Sequence, residues 1–237
     1  PMIHENEFNY SISAKLDGVS AMFCNENGEC KLYTRGDGIC GQDISHMIPF
    51  MDQLQRITTK KITVRGELLI TKELFDKKYT KKFRNPRNFV SGVVNQTKDL
   101  DSKDSVKKYK DIDFICYEII TPAMTLQDQM ALINAINADT PLNIITFEKI
   151  PTIKELSEYL QNWRDDYQYE IDGIIVAYNS QIQNKKAREN KNPEDAFAFK
   201  MALTDQTAET FVTDVIWTSS KDGYLANQKN SSRRGWY

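Results

Sequence analysis

Short stretches with the two-residue alternation of β-strands recur along the chain, and helical stretches fall between them without a regular strand–helix order. The predicted strands are residues 11–16, 19–24, 30–35, 61–70, 112–120, 171–178, 197–201 and 209–217. The predicted helices are residues 45–55, 86–94, 125–138 and 152–163. Because a doubly wound parallel sheet needs strict strand–helix alternation, this order predicts an α+β fold built on antiparallel sheets.

Charge is unevenly distributed along the sequence. Residues 56–110 carry 16 Lys and Arg against 6 Asp and Glu, whereas residues 1–55 carry 3 against 8 and residues 111–237 carry 12 against 19. Within the basic part, Lys81, Lys82 and Arg84 surround Phe83 just before a predicted helix start. This pattern indicates a localised contact with a polyanion. A solvated lysine-rich surface is the alternative, and residues 98–110 are predicted to be a surface loop.

Cysteine and histidine usage predicts a reduced, cytoplasmic protein without a structural zinc site. The chain has no CxxC pair, and its cysteines and histidines are Cys24, Cys30, Cys40, Cys116, His4 and His46. No apolar run approaches the roughly 20 residues that a membrane-spanning helix needs. The polar first residues do not resemble a secretory signal. We therefore expect no metal ion held by protein side chains alone.

The first polar segment with candidate chemistry is Lys15-Leu16-Asp17-Gly18, at the end of a predicted strand. Side chains repeat every two residues on a strand, so Lys15 and Asp17 are expected on one face. A lysine becomes a nucleophile when its amine loses its proton through desolvation or nearby positive charge. Gly18 allows a sharp turn or a close approach of the backbone. Taken alone, so short a segment is better explained by an exposed lysine before a hairpin Asp-Gly.

Three further segments place polar side chains on strands or tight turns, namely residues 34–38, 64–67, and 171–176 together with 196–200. Glycines around an acid next to Arg35 can hold a sugar or a phosphate, and Glu67 can accept hydrogen bonds from ribose hydroxyls. Lys200 ends a run of Phe and Ala, where burial is costly without an anion such as phosphate. The structural alternatives are a solvent-facing loop for residues 34–38, an ion pair at a strand edge for Glu67, and a side chain that reaches solvent for Lys200.

Together and in this order, the segments resemble the nucleotidyltransferase motifs of covalent ligases, in particular NAD-dependent DNA ligases. The matching words are KLDG at Lys15, TRGDG at Thr34, VRGE at Val64, NPRN at Asn85, IDGIIV at Ile171 and AFAFK at Ala196. NPRN followed by Ser-Gly indicates the NAD-dependent branch. The resemblance implies a nucleotidyltransferase fold of the DNA-ligase and mRNA-capping kind. It places an adenylation domain in residues 1–204 and the incomplete start of an OB-fold with a tail in residues 205–237.

The resemblance also implies a reaction, in which Lys15 takes AMP from NAD and passes it on to seal a nick in duplex DNA, with Mg²⁺ as a cofactor. It assigns catalysis to Lys15, Asp17, Asp172 and Lys200, and cofactor binding to Lys15, Arg35, Glu67, Arg87 and Lys200. Glu67 is expected at the ribose and Lys200 at the α-phosphate. Arg35 and Arg87 are expected near the ribose and phosphates, while the two aspartates organise the site and any magnesium.

Three positions depart from the bacterial pattern of the family. Ser13 stands where a glutamate is usual, Asn95 where an arginine is usual, and Ala177 where a lysine is usual. These features resemble the short ligases of large DNA viruses and phages. They also keep two alternatives open, an ATP-dependent polynucleotide ligase and a catalytically degraded nucleic-acid-binding module of the same fold.

Two parts of the family pattern are expected from partner segments. Only 14 residues precede Lys15, so a nicotinamide-recognition module is expected from elsewhere. The rest of the OB-fold is expected from a partner or from further domains.

Overall fold

The computed structural model describes residues 9–36, 40–179, 196–201, 212–219 and 225–231. The chain divides into two compact units, Pro1–Lys200 and Met201–Tyr237. The predicted boundary between residues 204 and 205 lies outside the described residues. The division into an adenylation domain and the start of an OB-fold therefore stays a prediction.

Eight strands of the first unit form two four-stranded antiparallel sheets. The first sheet contains, in spatial order, β6 (Ile144–Phe147), β1 (Tyr10–Leu16), β7 (Ile171–Tyr178) and β8 (Ala196–Phe199). The second contains β3 (Glu29–Thr34), β2 (Val19–Glu26), β4 (Ile62–Leu69) and β5 (Asp113–Thr121). The predicted α+β fold with antiparallel sheets is confirmed.

Helices flank the two sheets, and the five longest begin at a side chain that accepts a backbone hydrogen bond. They are a 3-10 helix (Ser45–Phe50), α1 (Asp52–Gln55), α2 (Lys72–Lys78), α3 (Pro86–Val94), α4 (Lys103–Tyr109), α5 (Leu126–Ile136) and α6 (Ile153–Asp166). The N-caps of α2 to α6 are Thr71, Asn85, Ser102, Thr125 and Thr152. Such caps satisfy amide groups that a helix start leaves without an intrahelical acceptor. In the part of the chain that the structure describes, no helix is long and apolar enough to cross a membrane.

The hydrophobic core lies on one face of each sheet, and the opposite faces carry the polar segments. In the first sheet, Ile12 and Ala14 of β1 are buried, whereas Ser13 and Lys15 alternate with them and stay partly accessible. In the second sheet, Val64 and Leu68 of β4 are buried, whereas Arg65 and Glu67 alternate with them. The two-residue period of a strand produces this separation.

Two predictions about local structure are wrong. Residues 98–110 are not a plain loop, because α4 occupies Lys103–Tyr109, with Ser102 accepting a hydrogen bond from Ser105 N at 3.1 Å. The single helix predicted at residues 45–55 is divided into the 3-10 helix and α1, because Met51 between them has an extended backbone, with φ −117° and ψ 97°.

The second unit contains a two-stranded antiparallel hairpin, β9 (Val212–Ser219) and β10 (Leu225–Ser231). The hairpin includes most of the strand predicted at residues 209–217. Its interpretation as the start of an OB-fold stays a prediction.

Candidate active site

Lys15 lies near the end of β1, on the face of the first sheet that is opposite the core. Its neighbours Ala14 and Leu16 are buried, with 5% and 7% of their surface exposed, whereas the Lys15 side chain is 31% exposed. Across the strand pair, Lys15 stands opposite Gly173 of β7. A Cβ on Gly173 would lie 2.6 Å from Phe199 O and 3.0 Å from Lys200 Cγ. Because Gly173 has no side chain, Lys200 can approach this face of the sheet.

A β-bulge in β7 directs Asp172 towards Lys15. The register runs from Lys15 opposite Gly173 to Leu16 opposite Ile171, so Asp172 is the extra residue. Regular alternation from the buried Ile174 would place Asp172 on the core face. The bulge instead buries Ile171 and turns Asp172 to the polar face, which is a recognised effect of bulges next to functional sites.

The carboxylate of Asp172 forms ion pairs with two ammonium groups. Lys15 Nζ lies 2.8 Å from its Oδ1, and Lys200 Nζ lies 2.9 Å from its Oδ2. Burial raises the pKa of Asp172, but the hydrogen bonds and charges of the two lysines together hold it below its ordinary value. The carboxylate is therefore ionised at neutral pH. Two cations beside one anion leave a local excess of positive charge that suits a phosphate.

Arg87 and Asp17 form a second ion pair, which attaches α3 to the end of β1. Arg87 Nη1 lies 2.7 Å from Asp17 Oδ1, and Asp17 N donates to Glu170 O at 3.0 Å. Pro86 occupies the start of α3, and Asn85 accepts from Asn88 N at 2.8 Å. This cap orients the first turn of the helix, and with it Arg87, towards the site.

Glu67 projects from β4 into the same region. Burial raises the pKa of Glu67 to about 7, although a hydrogen bond from Gly18 N and the charges of Arg87 and Lys15 act in the opposite direction. A Cβ on Gly18 would lie 2.2 Å from Leu68 O and 2.9 Å from Glu67 Cγ. Only glycine fits this approach of the β1–β2 turn to β4. Burial of Glu67 thus favours the neutral form of its carboxyl group.

Tyr117 lies beside Glu67 and was not predicted from the sequence. Its hydroxyl group is 2.8 Å from Ser20 Oγ, and Ser20 stands opposite Glu67 across β2 and β4. Because β4 lies between β2 and β5, the phenol reaches across β4 next to Glu67. The sequence contained a signal, since the adjacent residues Tyr117 and Glu118 interrupt the otherwise apolar run at residues 114–120. The structure has both side chains partly exposed at a register shift of β5.

Arg35 lies at the exposed end of β3. Its backbone N–H donates to Ser20 O at 3.0 Å, which places it next to the strand that faces Glu67. Asp37 and Gly38 of the same motif lie outside the described residues.

The predicted residues at positions 15, 17, 67, 87, 172 and 200 are brought together around one site. Lys15 and Lys200 share Asp172, and the charges of Lys15 and Arg87 both act on Glu67. Of the three departures from the family pattern, Ser13 and Ala177 lie on the same sheet face as Lys15, and Asn95 caps the end of α3. The roles of these side chains stay predictions.

The fold is that of the DNA-ligase nucleotidyltransferases. A solved structure of a Lig E DNA ligase aligns over 95% of this chain and 79% of its own length, with a TM-score of 0.53 and 14% identity. At that identity the likeness shows the fold alone.

The family model of the NAD-dependent DNA ligase adenylation domain matches residues 2–203, so the chain belongs to this family. A DNA ligase of Acanthamoeba polyphaga mimivirus is 38% identical over 228 residues, which cover 93% of this chain and 34% of the relative. A DNA ligase of Mycoplasmopsis agalactiae is 28% identical over 239 residues, covering 95% of this chain and 35% of the relative. The chain thus spans about a third of the length of these relatives.

Proposed function

We propose that this chain is the adenylyl-transfer core of an NAD-dependent DNA ligase, with Lys15 as the residue that becomes bonded to AMP. The observation that carries the proposal is the shared ion pair of Lys15 and Lys200 with Asp172, beside the buried carboxyl group of Glu67. In this proposal Lys15 is the nucleophile, Lys200 is the cation that binds phosphate, and Glu67 accepts hydrogen bonds from the ribose. All three would then face one ligand. Family membership supports the same reaction class.

In the first step, Lys15 Nζ forms a bond to the α-phosphorus of NAD. The phosphoanhydride bond to nicotinamide mononucleotide breaks, and this leaving group departs with the bonding electron pair. The amine must lose a proton before or during attack, and in this proposal the Asp172 carboxylate accepts it, which the distance of 2.8 Å between Lys15 Nζ and Asp172 Oδ1 supports. Lys200 stabilises negative charge on the phosphoryl oxygens.

Glu67 recognises the ribose in this proposal. An ionised carboxylate accepts two or more hydrogen bonds, which suits a pair of vicinal hydroxyl groups. Ribose binding would therefore favour the ionised form of the Glu67 carboxyl group, whose pKa is otherwise raised to about 7. Arg87, held by Asp17, and Arg35 supply positive charge near the ribose and phosphates. The ring of Tyr117 provides an aromatic surface next to Glu67 for the base.

Magnesium would fit this site as a companion of substrate phosphate. Mg²⁺ usually takes one or two carboxylates together with phosphate oxygens and water. Asp17 and Asp172 would supply such carboxylate oxygens, and each would exchange a present ion pair, with Arg87 or Lys15, for the metal. Bound magnesium would offset charge on the phosphoryl oxygens. The described residues hold no group of three or more metal-ligating side chains, so protein ligands alone do not build the site.

The later steps concern DNA and belong to the whole ligase. AMP passes from Lys15 to the 5′-phosphate at a nick, restoring the lysine. The 3′-hydroxyl then bonds to that phosphorus, and AMP leaves. We propose nicked duplex DNA as the substrate and an intracellular site of action. The nicotinamide-recognition module and the remaining OB-fold would be supplied by other segments.

Intact mass measurement tests the proposal. The chain is incubated with NAD or with ATP, plus magnesium, and analysed for a covalent AMP adduct. We expect an adduct that is absent in Lys15→Ala and retained in the control Lys31→Ala, which removes another strand lysine. An adduct that persists in Lys15→Ala would exclude Lys15 as the nucleophile. No adduct from either nucleotide, even with the other ligase domains added, would exclude an adenylyl-transfer function.

The same experiment separates two other functions. An adduct formed from ATP and not from NAD would favour an ATP-dependent polynucleotide ligase. A degraded nucleic-acid-binding module is favoured by the uncharged Ala177 on the face of Lys15, and it would bind nicked duplex in a salt-dependent way without any adduct.

A further inference from the structure

Two basic segments that are distant in sequence lie side by side. Residues 77–84 contain five Lys and Arg and no acid, and residues 103–110 contain four Lys and one acid, Asp104. Lys78 Nζ contacts both carboxylate oxygens of Asp111, at 2.8 and 3.0 Å, directly after the second segment. The pKa of Asp104 is lowered, chiefly by the hydrogen bond from Lys108 in the same segment and also by the charge of Lys82 in the other segment. We call residues 77–84 and 103–110 the basic platform.

The platform rests on a packed aromatic base. The rings of Tyr79 and Phe89 stack with centroids 4.0 Å apart, and Phe83 packs edge-on against Phe89 at 5.3 Å. Tyr79 is 7% exposed and donates from its hydroxyl to Asp111 Oδ2 at 2.6 Å. The backbone that carries the basic side chains is therefore held in place by buried contacts on both segments.

On α4, the exposed lysines form one stripe. Ser105 and Tyr109 face the interior, whereas Lys103, Lys107 and Lys110 are exposed. Their spacing of four and three residues puts them on one side of the helix. This stripe adds a second row of cations to the first segment.

The basic platform is continuous with the candidate active site. Arg84 ends its first segment and precedes Arg87 by three residues, a reach of at most about 10 Å along the chain. Arg87 itself pairs with Asp17 beside Glu67. A polyanion bound on the platform would thus pass close to the site of adenylyl transfer.

We propose that the basic platform binds the sugar–phosphate backbone of duplex DNA next to the nick, with the stripe on α4 as a separate row of phosphate contacts. The proposal rests on the proposed DNA substrate. Charge complementarity favours phosphates as the ligand. Most of the exposed side chains of the platform are cationic, whereas Tyr79 and Phe89 are buried beneath it and Phe83 is only partly exposed. Contacts are therefore made chiefly to the backbone and are independent of sequence.

Salt-dependent binding tests the platform. A fluorescent nicked duplex is titrated with the chain at several NaCl concentrations, and the slope of log affinity against log salt is measured. The test variant Lys103→Gln/Lys107→Gln/Lys110→Gln is compared with Lys60→Gln/Lys149→Gln/Lys154→Gln. The control removes three exposed lysines and the same net charge from other elements.

We expect the slope of the test variant to decrease by about 0.9 for each lost contact, up to about 2.7, while the control keeps the wild-type slope. The same loss is expected on an unrelated duplex sequence. Equal slopes for the two triple variants, or a loss confined to one DNA sequence, would overturn the proposal. Lys81→Gln/Lys82→Gln provides a second variant outside α4. AMP adduct formation is measured in parallel and should be unchanged, so a failed platform and a failed adenylyl transferase give different results.

Discussion

Replacement of Glu67 by glutamine is expected to stabilise the chain at alkaline pH in the absence of added nucleotide. Burial raises the pKa of Glu67 from its ordinary value of 4.5 to about 7, and the charges of Arg87 and Lys15 do not cancel this rise. A carboxyl group with a higher pKa in the folded chain binds its proton more tightly when folded. Its contribution to stability is complete below about pH 4.5 and is lost as the pH rises through about 7.

The size of the effect follows from the two pKa values. At about 1.4 kcal/mol per pKa unit, the difference between 4.5 and about 7 corresponds to about 3 kcal/mol. Glutamine does not ionise, and its oxygen can still accept from Gly18 N. We therefore expect the free energy of unfolding of Glu67→Gln, relative to wild type, to increase by about 3 kcal/mol from acidic to alkaline pH, with most of the change between about pH 5 and 8.

Urea unfolding of both chains across this pH range measures the difference. Glu29→Gln is the control, since the Glu29 side chain is 74% exposed. A difference that stays constant with pH, or a variant that is less stable than wild type at about pH 8, would refute the explanation by burial. In the same variant, AMP affinity should fall, because the ribose loses a carboxylate acceptor.

Two substitutions test the packing that holds the site together. Gly18→Ala places a Cβ 2.2 Å from Leu68 O, so urea unfolding should show a loss of about 1–3 kcal/mol, whereas Gly92→Ala on an exposed helix face should stay within about 1 kcal/mol of wild type. Equal stabilities of the two variants would contradict the close approach at Gly18. Tyr169→Phe removes the donor that lies 2.7 Å from Asp113 Oδ2, and leaving this partly buried carboxyl group without it should cost about 1–3 kcal/mol in the same assay. An unchanged free energy of unfolding would show that the Asp113 carboxyl group does not need the hydrogen bond from Tyr169.

Much of the fold follows from local patterns. The strand at Ile171–Tyr178 and the helix at Pro86–Val94 agree with their predicted bounds, because alternation and the Asn85-Pro86 start are strong signals. Two of the elements that were not predicted are short. The helix α2 has seven residues, and β6 has four and lies at a sheet edge. Such lengths carry too few apolar positions to show a period.

The candidate site was predictable in its residue types and less so in its contacts. Asp17 was expected on one face with Lys15, but it follows the end of β1 and pairs with Arg87, which is 70 residues away in sequence. Lys15 instead contacts Asp172. Such long-range pairs depend on which strands are neighbours in a sheet and on where α3 packs, and a local sequence period carries no information on either.

The departures from regular strand geometry coincide with the polar centre of the site. Alternation in β7 would direct Asp172 into the core, and alternation in β5 would not expose Tyr117 and Glu118 together. A register shift in β7 turns Asp172 out of the alternating pattern towards Lys15, and a register shift in β5 turns Tyr117 out of it towards Glu67. A regular sheet would bury these groups with its apolar residues. Irregularity at both positions, together with a carboxyl group held at a raised pKa, lowers the stability of the sheets and is what the proposed binding of one nucleotide by polar groups of both sheets requires.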